Sequence, residues 1–140
     1  MRTKILLSTL VFAATLCNAS DFNPAMKAYI SELKAQAKAS SANFTDFDAS
    51  RGEQIFRTKN KGKNAELLSC QSCHSTNLRQ SGSNVFTGKT IPPLAPSVNS
   101  SSLSDVKNVQ KWLKRNFKDV FLREGSAQEK GDVLYYLIKQ

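Results

Sequence analysis

The sequence predicts an all-α fold. Apolar residues recur at helical spacing in four separate segments, and each segment opens on a capping residue. No stretch alternates apolar and polar residues as a half-buried strand would, and no repeat or nucleotide-binding glycine loop stands out. The first helix starts at Asn23-Pro24, a cap followed by a proline whose missing N–H costs nothing in the first turn. Met26, Tyr29, Ile30, Leu33 and Ala37 then share one face, and KASSAN follows as a polar linker. A second helix begins at Asp48-Ala49-Ser50, where Ser50 and Glu53 have the spacing of a capping box and Ile55 and Phe56 supply apolar contacts. Lys59, Lys61, Gly62 and Lys63 break it. Residues 75–104 are rich in Ser, Thr, Asn, Gly and Pro without any sustained period. They form a long loop, and a loop of that length in a small domain usually wraps something functional. The third helix starts near Ser104 or Asp105 and turns Val106, Val109, Trp112, Leu113, Phe117 and Val120 inward. The fourth opens on Ser126, three residues before Glu129, and runs through Val133, Leu134, Tyr135, Leu137 and Ile138.

The chain begins MRTK, continues with the apolar run ILLSTLVFAATL and reaches small residues at Asn18-Ala19. This pattern predicts a secretory signal peptide over residues 1–19, and hence a periplasmic protein. The apolar run is too short for a membrane span, which takes about 20 residues. Leu16, before Cys17, is too large for lipoprotein processing, which ranks a lipid anchor below simple export. Residues 20–45 form the N-terminal helix and linker, and residues 46–140 the main domain. Arg2 and Lys4 leave with the signal, so 18 basic residues face 11 acidic ones, a net charge of +7. Export argues against a nucleic-acid target. An acidic protein or an anionic membrane surface suits the charge better, and surplus lysines that merely keep the surface soluble explain it equally.

Cys17 also leaves, and the remaining Cys70 and Cys73 are too few and too close for a disulfide framework. They sit in LLSCQSCHST, a C-x-x-C-H run that reads as the attachment site of one covalent haem c, with His74 as an iron ligand. Cysteines three apart on a helical turn present both sulfurs to one edge of a porphyrin, and the next residue projects an imidazole to its iron. Structural zinc needs a fourth ligand, and no further Cys or His exists. A dithiol oxidoreductase would bring a βαβ pattern that is missing. Phe86, Ile91, Leu94, Val98, Leu103, Trp112 and Leu113 offer apolar walls, although each also fits ordinary core packing. The sequence permits a carbonyl of Pro92-Pro93 to accept the second ring proton of His74. Arg79 and Lys89 could pair with the haem carboxylates, and solvated surface charge explains them equally.

The other side of the iron is the open question. His74 is the only histidine, and the methionines, Met1 and Met26, both lie upstream, Met26 on a face where packing accounts for it. Water, an open position, a lysine amine or an amide remain. Asn116 falls three residues after Leu113 and four before Val120, on the inward stripe of the third helix. A buried amide must be satisfied. Iron would do so, and so would a hydrogen bond to the backbone of the long loop.

The runs SCQSCHSTNLRQSG, FTGKTIPPLAPS, VQKWLKRN and EKGDVLYYL together resemble the monohaem sphaeroides haem protein (SHP) group of oxygen-binding c-type cytochromes, from about Ala49 to Gln140. That group falls in a domain family long labelled as of unknown function. The resemblance implies a small class I cytochrome c-like fold, with helices wrapped around one covalently bound haem. It also implies that Asn116 binds ferric iron and leaves on reduction. A redox-switched cytochrome of this kind would bind O₂ or NO and accept electrons from a dihaem cytochrome c linked to a membrane cytochrome b. It would then be either an oxygen-reducing terminal oxidoreductase or an electron carrier. A shuttle with permanent six-coordination and a non-catalytic gas sensor or scavenger stay open beside it. Some relatives carry a cysteine pair flanking the asparagine, at positions that are Phe117 and Gly125 here.

Overall fold

The structure, a computed structural model, describes residues 21–140, so the signal peptide expected over residues 1–19 lies outside the described residues. Helix α1 spans Pro24–Ser40, capped by the Asn23 side chain, which accepts from the Met26 N–H. Its buried residues are Met26, Tyr29, Ile30, Leu33 and Ala37, the face expected from the spacing. Met26 is wholly enclosed in the core, as packing required. Helix α2 spans Ala49–Arg57. Its cap is Asp48, whose carboxylate accepts from the Arg51 N–H at 2.7 Å, so Ser50 lies inside the first turn and does not form the expected box.

After α2 the chain forms an antiparallel pair of very short strands, β1 (Asn60–Lys61) and β2 (Leu67–Leu68), around a 3₁₀ turn. A one-turn helix α3, Gln71–His74, carries the cysteine motif. The long segment that follows holds a second such pair, β3 (Gly82–Ser83) and β4 (Thr90–Ile91). Strands of two residues carry no alternation to read, which is why the sequence shows none. The same segment fastens its own backbone through Asn99 and Ser102 side chains, which donate to the Pro93 and Leu94 carbonyls at 2.7 and 2.5 Å.

Helix α4 spans Val106–Phe121, capped by Asp105, and buries Val109, Leu113, Phe117 and Val120. Trp112, expected inward, is 41% exposed. It sits at the edge of the apolar stripe, with part of the indole in solvent. Helix α5, Ala127–Leu137, opens with the full Ser126–Glu129 capping box.

Helices α2 and α5 cross at Gly52, and α1 packs on the same α5. A Cβ at Gly52 would overlap the Asp132 carbonyl, so only glycine lets the two backbones approach this closely. Asp132 is 1% exposed and locks the crossing. Its carboxylate accepts from the Asp48 N–H at 2.7 Å and from Arg51 Nε and Nη2 at 2.9 Å each. Replacing Arg51 with alanine leaves a buried carboxylate with two donors fewer and no counter-charge. Since the guanidinium is partly exposed, a loss of about 2–3 kcal/mol is expected by chemical denaturation, below the range for fully buried pairs. An unchanged midpoint would mean that water replaces the guanidinium at no cost.

Candidate haem site

Cys70 is the N-cap of α3, and the Cys73 and His74 N–H groups both bond to its carbonyl, at 3.2 and 3.1 Å. One tight turn therefore carries both thiols and the imidazole. Gly82 presses on it from outside, where any Cβ would overlap the Cys73 carbonyl oxygen. Cys70 and Cys73 form no disulfide with each other. Burial pushes the Cys70 thiol up to about 12. Among the described residues, no three His, Cys, Asp or Glu side chains gather as metal ligands, so Cys70, Cys73 and His74 do not make a zinc tripod.

The motif forms one wall of a cavity of about 650 Å³. Phe86, Ile91, Leu94 and Leu103 of the long segment line it, with Trp112, Leu113 and Asn116 of α4 opposite. Val98, also expected there, is instead 47% exposed and outside the cavity. The long loop thus wraps the cavity.

His74 Nε2 meets the Asn116 side-chain amide directly at the cavity wall, with Nδ2 at hydrogen-bond distance, 3.3 Å. Rotation about the broad terminal torsion of Asn116 exchanges its nitrogen for its oxygen at little cost. Asn116 makes no hydrogen bond to the long loop, which removes the alternative the sequence allowed. Burial depresses the His74 imidazole from 6.5 to about 4. The neutral ring, which is the metal-binding form, therefore prevails until the pH falls through about 4.

His74 Nδ1 is buried without a hydrogen-bond partner. The expected bond to the Pro92-Pro93 segment is not formed, and the Pro93 carbonyl accepts instead from Asn99. Arg79 is exposed and away from the cavity, whereas Lys89 lines it. The second cation at the cavity is Arg115, which the sequence reading missed because a basic residue on a helix looks like solvated surface. Asp119, the one acidic residue in the lining, faces Lys63 at 3.9 Å, while Lys89 and Arg115 have no carboxylate partner among the described residues. Phe117 and Gly125 touch directly, the ring lying on the glycine Cα, and Phe117 stacks on Phe121 at 5.2 Å. This contact anchors α4 one residue beyond Asn116.

Residues 42–137 match the family described as a domain of unknown function (DUF1924). The cytochrome c-type protein SHP of Cereibacter sphaeroides is 34% identical over 138 residues, covering 99% of each chain. The chain belongs to the SHP family of c-type cytochromes.

Its fold is likewise that of SHP-type cytochromes. The structure of oxidized SHP, titled an oxygen-binding cytochrome c, superposes with a TM-score of 0.71 at 35% identity, covering 86% of this chain and 99% of that one. The solution structure of Methylophilus methylotrophus cytochrome c'', presented for the structural basis of haem-ligand detachment, gives 0.71 at 27% identity, covering 83% and 94%. As an SHP-family cytochrome the protein carries covalently bound haem c. The donor set fits that group: two thiols on one turn, a neutral imidazole aimed into an apolar cavity, and two cations without carboxylate partners at its lining. Cys70 and Cys73 would form the thioethers, His74 would bind the iron, and Lys89 and Arg115 would face the haem carboxylates.

Proposed function

We propose that this protein is a periplasmic monohaem cytochrome c with a redox-switched sixth ligand, which accepts electrons and binds O₂ or NO when reduced. The observation that carries the reading is the Asn116 amide lying beside His74 Nε2, 3.3 Å away, in the lining of the same cavity. Haem c would supply one-electron chemistry and an iron that can take a further ligand. Asn116 would offer its amide oxygen, a hard and neutral donor that suits Fe(III) better than Fe(II). With the iron reduced, the Asn116 NH₂ would be free to donate to a diatomic ligand. Polarity on this side decides between electron transfer and ligand binding. The relatives support this reading, since SHP is titled oxygen-binding and cytochrome c'' is described through haem-ligand detachment.

Electrons arrive from another cytochrome, a dihaem cytochrome c or a membrane cytochrome b. None of the helices among the described residues is long and apolar enough to cross a membrane. Carbon monoxide added to the reduced protein is the test. A CO complex is expected, whereas an unchanged spectrum would leave a permanently six-coordinate shuttle. Steady O₂ consumption with excess reductant would identify a terminal oxidoreductase, and stoichiometric binding without consumption a sensor or scavenger.

A further inference from the structure

Helix α4 exposes five cations, Lys107, Lys111, Lys114, Arg115 and Lys118. They divide into two sets. Lys114 and Lys118 share Glu124, at 3.1 and 3.7 Å. Lys107, Lys111 and Arg115 have no carboxylate within ion-pair distance among the described residues. Those three stand four residues apart, so they form one stripe along the helix. Like charges at that spacing oppose helix formation, so the stripe does not serve α4's own stability.

Trp112 lies within the stripe. Lys111 Nζ is 5.4 Å and the Arg115 guanidinium 5.5 Å from its ring. The indole is 41% exposed and also lines the haem cavity, as do Asn108 and Arg115. The stripe therefore runs along the rim of the cavity, with one large aromatic at the boundary between cofactor and solvent. An exposed Trp beside an Arg is a combination enriched at protein interfaces, and the two lysines add the charge that steers an acidic partner.

We infer that the Lys107–Lys111–Trp112–Arg115 face of α4 is the electron-entry surface, and that it docks an acidic patch on a one-electron donor protein. This rests on the proposed electron-accepting role and assigns it a place on the molecule. One electron passes from the reduced donor to the ferric haem, the donor is oxidised by one electron, and no atom is transferred. Charge complementarity names the partner. An anionic membrane would attract the same cations, but a helix lying on a membrane inserts an apolar face. The apolar face of α4, Val109, Leu113, Phe117 and Val120, is buried in the protein. Screening matters as well, since attraction between exposed charges weakens as salt rises.

The test measures reduction of the ferric holoprotein by two donors in stopped flow. Reduced flavodoxin serves as the acidic protein donor and the methyl viologen radical as a small cationic one. The double variant K107E/K111E is compared with K38E/K139E, which makes the same change in net charge on other exposed lysines. Reduction by flavodoxin is expected to be salt-dependent and to fall about tenfold or more in K107E/K111E, with a much smaller loss in K38E/K139E. The methyl viologen rate should not fall in K107E/K111E, which shows that the haem is intact. Equal losses in both variants would overturn the docking face in favour of net charge alone. So would salt-independent reduction, or K107E/K111E-sensitive binding to phosphatidylglycerol vesicles without an effect on flavodoxin. Failure of the Asn116 switch would appear separately, as a missing CO complex with the reduction rates unaltered.

Discussion

Alanine at position 116 is expected to convert ferric iron from six-coordinate to open or water-ligated, and to leave the reduced protein's CO complex in place. The side chain lies in the lining of the cavity, in contact with His74 Nε2. If Asn116 ligates the ferric iron, ligands such as azide must compete with the amide in the parent protein. If amide ligation contributes even about 1.4 kcal/mol, its removal raises azide affinity about tenfold. Leucine at the same position keeps much of the volume and removes the donor, so it separates ligation from packing. The absorption and paramagnetic resonance spectra of both variants supply the readout. Ferric spectra identical to the parent would exclude Asn116 as a ligand.

Gly52→Ala should produce a large loss of stability. The new Cβ meets the Asp132 carbonyl, which is backbone and has no rotamer to yield. Helices α2 and α5 would have to separate, loosening the Arg51–Asp132 bridge at the same crossing. Overpacking against rigid atoms places the cost at about 3 kcal/mol or more. For a domain of this size that is a fall of roughly 10 °C or more in melting temperature. Thermal melts of the holoprotein measure it, and a shift of only a degree or two would show that the crossing can open freely.

Much of the scaffold was legible because it is local. The five apolar residues spaced along α1 are its buried face, and Ser126 with Glu129 forms the cap that its spacing announced. What was not legible depends on contacts distant in sequence. Asp132 gives no hint of burial on its own, since its partner Arg51 lies 81 residues upstream. Asp48 and Ser50 are both competent caps, and only the backbone path chooses Asp48. Trp112 belongs to the apolar pattern by type, but the helix turns its indole to the rim of the cavity. The four residues singled out for the site, Cys70, Cys73, His74 and Asn116, all line one cavity. The motif placed the first three together by spacing, whereas only the fold brings Asn116 within 3.3 Å of His74 across 42 residues of chain. The carbonyl expected for His74 Nδ1 was the weakest reading. A backbone acceptor has no side-chain signature, and Asn99 takes the Pro93 carbonyl.

The central claim is that an amide holds the iron only while it is ferric. The most direct measurement is the spin state of the iron in both oxidation states of the unmodified protein, by paramagnetic resonance for the ferric form and magnetic circular dichroism for the ferrous form. A six-coordinate ferric iron that becomes five-coordinate and high-spin on reduction is the predicted result. A ferrous iron that stays six-coordinate and low-spin would contradict it.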